Sequence, residues 1–168
     1  WDAALVRCRQ LLADPDPSVV QLGAVLDSRL AGWRLDQPGA TAAAARFVQR
    51  VEQAARLLAV FQRASQTGEI DVAQWSQLEQ LFTRTDRPRR MQIMGLQLMA
   101  ELSIVAGHPD LGLRALRRAA EAGLIDITWL DRCPLLQPFA GDPRWRAVRD
   151  EIARRAARML AAFRAAAG

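Results

Sequence analysis

One histidine and two cysteines bound the chemistry open to this chain of 168 residues. His108 stands in a Gly-His-Pro-Asp turn, two residues before Asp110. A histidine base needs a nucleophile or a substrate proton within hydrogen-bond reach. No serine or cysteine is placed to be activated, so His108 is read as a solvated turn residue. The run Asp131-Arg132-Cys133 is a sharper case. A thiol beside a guanidinium can have a lowered pKa and become reactive. Yet Cys133 precedes Pro134 in an apolar turn, where cysteine commonly serves as a small buried hydrophobe. Asp131 is then expected to hold backbone groups or to pair with an arginine. Cys8 and Cys133 match no metal or redox spacing and are read as free thiols. The chain has no lysine and no tyrosine. Acid–base chemistry would therefore fall to paired carboxylates, and Asp126 with Asp131 is the one such pair near the turns. No catalytic constellation emerges. The expectation is a chain that is not itself an enzyme, with no catalytic, cofactor-binding or metal residues.

These residues lie between segments of helical periodicity. Leu5, Cys8, Leu11 and Leu12 recur at helical spacing before Asp14-Pro15-Asp16-Pro17 breaks the pattern. Asp16 as N-cap and Pro17 at the first helical position open a second helix. It runs to about Leu35 with Val19, Leu22, Leu26, Leu30 and Trp33 inward. Thr41 to Thr67 reads as a long third helix carrying Phe47, Val51, Ala54, Leu58 and Phe61, with Gly68 as its stop. Asp71 with Gln74 three residues on forms a capping-box pattern for a fourth, with Trp75, Leu78, Leu81 and Phe82 in its core. The fifth, from Thr85-Asp86-Arg87-Pro88 to Gly107, is apolar nearly all round and is expected to be buried on several sides. Leu111 to Ala122 forms a sixth, ended by Gly123. Two short proline-ended turns follow. Asp142-Pro143 then opens a last helix whose inner stripe is Trp145, Val148, Ile152, Met159 and Phe163. Asp150 with Arg154 and Glu151 with Arg155 are spaced as i,i+4 pairs.

Composition agrees with an all-α protein. Hydrophobic residues make up 51% but aromatics only 6%, and the difference is largely alanine, a strong helix former that permits close packing. The net charge is +5. All 23 basic residues are arginine, and 18 acidic residues offset most of them. Lysine-free, alanine- and arginine-rich sequence is what a GC-rich genome encodes, so the basic balance is weak evidence for nucleic-acid binding. No apolar run approaches the ~20 residues of a membrane span. Trp1 is not an initiator residue, and the chain is expected to come from a longer polypeptide.

Leu96, Met99 and Ala100, with Gly112, Leu116 and Ala119, fit the two helices of a tetratricopeptide unit of ~34 residues. Ser103 replaces its usual aromatic and Leu124 its usual proline. No clean second copy lies ~34 residues upstream. From Asp86 to Phe163 the chain resembles the C-terminal tetratricopeptide-type region of bacterial multidomain serine/threonine protein kinases, myxobacterial ones above all. The resemblance rests on PRRMQIMGLQLMAELSIVAG, LRRAAEAGLID, WLDRCPLL and DPRW with its closing arginine/alanine helix. It implies a non-catalytic appendage. No kinase motif is present, since there is no lysine, no His-Arg-Asp loop and no Asp-Phe-Gly.

The expected architecture is a single helical domain over 1–168, a degenerate antiparallel helix-hairpin stack. Its N-terminal helices occupy 1–67. A tetratricopeptide-like pair, capping turns and a closing helix occupy 71–168. The expected function is cytoplasmic protein–protein interaction or regulation, on a protein partner or on the host's own catalytic domain, with no membrane partner. The alternative is an arginine-rich helical nucleic-acid-binding or transcription-regulator module. The first helix of such a unit lines the concave surface, so Arg90, Gln97 and Glu101, which share a stripe, are the candidate partner-binding residues. The competing reading has them hydrogen-bonding inside a helix interface. Arg87 and Arg89 extend the candidate set, because cations at a helix start oppose its dipole and need another reason to be there, an acidic partner or, as the competing reading of Arg87, Arg89 and Arg90, a solvated face or a salt bridge to another helix. Trp129, Leu130, Leu135, Leu136, Phe139 and Trp145 are expected to seal the open end of the stack.

Overall fold

Aspartates and prolines stand at the helix starts, and glycines stop two of the helices. The computed structural model describes residues 2–34, 36, 38–39, 42–43, 60, 63, 67, 69–84 and 86–167. Seven helices are numbered here in chain order: α1 Asp2–Leu12, α2 Pro17–Trp33, α3 Val72–Thr83, α4 Arg89–Val105, α5 Pro109–Glu121, α6 Ile127–Arg132 and α7 Pro143–Ala167. A 3-10 turn covers Gln137–Phe139. No strand occurs among the described residues. The Asp71 carboxylate accepts from the backbone N–H of Ala73 at 2.8 Å and Gln74 at 3.2 Å. Asp142 accepts from Arg144 N at 2.8 Å. Each side chain satisfies donors that a helix start leaves open. Gly107 and Gly123 end α4 and α5 at φ 83° and 102°, a left-handed conformation that costs a Cβ-bearing residue. α5 begins two residues earlier than its apolar pattern, because Pro109 is suited to a first turn. The expected helix over Thr41–Thr67 and its stop at Gly68 lie largely outside the described residues.

The backbone gathers into two compact units. One comprises 1–78 with 102–108; the other comprises 79–101 with 109–168. The boundaries fall inside α3 and α4 rather than in a linker.

In the first unit, α1 packs on α2. Gly23 makes that approach possible: a Cβ there would stand 2.9 Å from Leu11 Cβ and 3.0 Å from the Leu12 backbone nitrogen. Cys8, Ala24, Leu30, Trp75 and Leu78 are buried in this unit. The α2 stripe differs from expectation, since Leu22 is 50% exposed. Gly23, Ala24 and Ser28 are buried in its place. Small residues let the backbones meet, so the helix turns its small face inward rather than its bulkiest one.

In the second unit, Leu96, Met99, Ala100, Ala115, Leu116, Ala119, Leu130, Leu136 and Ile152 are almost fully removed from solvent. α7 packs on α5 and on α6. Trp129, Leu130, Leu135, Leu136 and Trp145 are buried, and Phe139 is half-buried. α7 departs from its expected stripe past Ile152. Met159 is 52% and Phe163 72% exposed, because the helix continues beyond the elements it packs against.

Candidate interaction surface

Most charged groups of the second unit are committed to holding it together. Glu79, buried on α3, receives Arg114 through two nitrogens at 2.5 and 3.2 Å, and Arg118 stands 3.6 Å away. Arg118 is held above the usual arginine range chiefly by its bond to Glu121, with Glu79 adding to it. Asp126 caps α6 by accepting from Trp129 N at 2.9 Å. Asp131 takes a two-point bond from Arg149 at 2.7 and 2.9 Å, which raises the guanidinium's pKa. Arg144 bridges Asp142 and Asp110. Its hydrogen bond holds the Asp142 carboxyl below the ordinary carboxylate range. Arg155 pairs with Glu151 at 2.8 Å, whereas Asp150 lies 3.6 Å from Arg149 rather than paired with Arg154.

The end of α5 shows why sequence position misleads for arginine. Its last carbonyls have no partner within the helix. Arg155, from α7, donates to Ala120 O at 2.5 Å and Leu124 O at 3.2 Å. Arg89, from the start of α4, donates to Ala122 O at 3.2 Å. Arg89 opposes the dipole of its own helix but complements that of another. It is a cap first, which removes the reason for counting it among partner contacts.

The five residues expected to meet a partner therefore divide. Gln97 and Glu101 are 9% and 2% exposed. The Glu101 carboxylate accepts from the Trp129 indole nitrogen at 2.6 Å. Both are buried, and Glu101 is hydrogen-bonded inside a helix interface. The cause is α6, which brings Trp129 onto the second half of the α4 stripe. The first half stays uncovered. Arg90 is exposed and makes no hydrogen bond or ion pair with any described residue. Met91 and Met94, expected to be buried in a helix apolar all round, are 42% and 36% exposed. Arg87, just before α4, is half-buried and close enough to Asp86 to add to the depression of that carboxyl, which comes mainly from Arg84. Gln92 pins the preceding turn by donating to the carbonyls of Arg84 and Arg87, both at 2.9 Å. Phe82 lies against Gly95, where a Cβ would come within 2.1 Å of the ring. The turn and the Phe82 ring together fix the start of α4 and present Arg87, Arg90, Met91 and Met94 on one side. Periodicity alone could not mark the two methionines, because it records which residues are apolar and not which neighbours arrive.

The groups with reactive potential are placed otherwise. Cys133 is 1% exposed, and its N–H donates to Trp129 O at 2.8 Å, closing α6. Burial and the nearby Asp27 push the Cys8 thiol up, away from the reactive thiolate. Asp126 and Asp131 are spent on a cap and an arginine pair rather than on each other. Among the described residues no group of three metal-ligating side chains forms. His108 is not the freely solvated residue expected. It is half-buried, and its Nε2 is shielded with no partner among the described residues.

Comparison with known proteins gives no match to any family model, curated protein or solved structure.

Proposed function

We propose that this chain is a non-catalytic protein–protein interaction domain from the C-terminal part of a bacterial multidomain signalling protein, the host being a serine/threonine kinase. In this reading it works in the cytoplasm as a degenerate tetratricopeptide-like hairpin stack closed by α7. It docks either a separate protein or the host's own catalytic domain. The observation that carries the reading is the uncovered start of α4. Arg90 has no partner among the described residues, and Met91 and Met94 stand exposed beside it. Arginine offers planar, multi-point recognition of carboxylates. Methionine is soft and adaptable, a common choice on surfaces that accept varied partners. The resemblance of Asp86–Phe163 to kinase tails supplies the host.

The test is capture of partner from an extract of the source bacterium by the immobilised chain, with wild type set against Arg90→Glu plus Met94→Glu. These positions are exposed, so the circular dichroism and the melt should stay unchanged. Capture should fall by about thirtyfold, the effect of losing ~2 kcal/mol at a hot spot. Undiminished capture by a folded variant would remove the surface from consideration. A fluorescent duplex DNA serves as the control for the rival nucleic-acid reading. Tight binding with a steep fall against salt would favour that reading instead.

A further inference from the structure

Residues 157–166, at the end of α7, are all exposed. Met159 is 52%, Leu160 50% and Phe163 72% exposed, three large apolar side chains within five residues. At about 100° per residue these three side chains fall within an arc of about 100°. Ala156 shares that arc and continues it toward the buried Ile152. The opposite side carries Arg154 and Arg158, and Arg164 stands at the edge of the apolar arc. None of these three arginines makes a hydrogen bond or ion pair with a described residue. Glu151 is the last acidic residue of the chain given, so 152–167 is purely cationic on one side and apolar on the other.

We propose that this end of α7 lies on an anionic membrane surface, its apolar arc seated in the headgroup region and its arginines against lipid phosphates. The geometry is that of an interfacial helix, a cationic polar face backing an apolar one. Size decides against a protein groove. Three turns of helix span only ~15 Å and cannot alone supply the ~800 Å² that each partner gives to a stable protein complex. A lipid surface needs no matching shape, and each arginine near it adds its own attraction. The absence of a helix long and apolar enough to span a bilayer among the described residues bears on crossing a membrane, not on lying along one.

The experiment is co-sedimentation of the full chain with phosphatidylglycerol/phosphatidylcholine vesicles, and with phosphatidylcholine vesicles alone. Binding is expected to the anionic vesicles only, falling as salt rises. Arg158→Gln and Arg164→Gln should each weaken it about fivefold, the counterpart of about 1 kcal/mol per basic residue. Met159→Glu with Phe163→Glu should abolish it while circular dichroism shows the fold intact. Arg90→Glu with Met94→Glu should leave it unchanged, which separates this proposal from the α4 surface. Failure to bind anionic vesicles at millimolar lipid would overturn it. So would equal binding to neutral ones, or binding that survives the Met159/Phe163 double variant. A dimer in sedimentation equilibrium that the same double variant dissolves would overturn it in favour of self-pairing.

Discussion

α5 and α7 end in nearly the same vocabulary. α5 closes on LRRAAEAG and α7 on RRAARMLAAFRAAAG. Their fates are opposite. On α5, Ala115, Leu116 and Ala119 are 0% exposed. Arg114 and Arg118 are drawn to Glu79, and the last carbonyls are taken by Arg89 and Arg155. On α7, Met159, Leu160 and Phe163 open to solvent, and Arg154, Arg158 and Arg164 meet no acid among the described residues. Alanine and arginine therefore do not determine a structural or an interactive role by themselves. The neighbour that arrives from ~30 residues away does so, by covering an apolar face or by bringing a carboxylate or carbonyl within reach.

The sharpest way to break this contrast is to delete equivalent leucines. Leu116→Ala should destabilise the second unit by roughly 2–5 kcal/mol, the cost of a buried cavity. Leu160→Ala should change stability by no more than about 0.5 kcal/mol, as at an exposed helical site. Urea denaturation followed by circular dichroism would read both. Comparable losses would mean that the end of α7 is covered after all.

What was legible in the sequence follows the same division between local and distant causes. Asp71, Asp142-Pro143, Gly107 and Gly123 mark helix ends through groups within a few residues, and the structure uses each as expected. The apolar cluster from Trp129 to Trp145 was readable as buried because its apolar density is itself local. Glu101 was not, because the indole that buries it is 28 residues away in sequence. Leu22 was misplaced because a periodic pattern cannot say that small side chains will win the inner face. Met91, Met94, Met159 and Phe163 look like core by type. Only the absence of a covering element among the described residues shows that they are surface. Of the residues singled out on α4 and just before it, Arg87 and Arg90 stay accessible, Gln97 is buried, and Arg89 and Glu101 are engaged by groups more than 25 residues away in sequence.

A smaller effect compares two arginines of α7 one turn apart. Arg155 donates to the Ala120 carbonyl in the last turn of α5, to the Leu124 carbonyl just past it and to Glu151. Arg155→Ala should cost about 1–2 kcal/mol, the range for charge-assisted bonds whose acceptors then return to water. Arg158→Ala should be close to neutral, since it loses no bond and gains helix propensity. If the two prove equal, the capping of α5 by α7 contributes nothing, and the contrast between the two helix ends reduces to apolar burial.

The smallest effect concerns the start of α7. Asp142 combines an N-cap with an arginine pair, and Asp142→Asn separates the two. Asparagine caps a helix as well as aspartate does, so the bond to Arg144 N should survive while the charge is lost. The folded protein holds the Asp142 carboxyl below its ordinary value, chiefly through Arg144. The unfolded chain therefore takes up this proton first as pH falls. The contribution is fully present above the ordinary carboxylate range and is lost as pH drops through the depressed folded value. Wild type should accordingly melt slightly above Asp142→Asn at neutral pH. The gap should close in strong acid, provided the comparison stays within the range where both remain folded. A gap that keeps its size at every pH would mean that the asparagine perturbs the cap itself. The Arg144 bridge from Asp142 to Asp110 would then be surface decoration, no more committed than the arginines at the far end of the same helix.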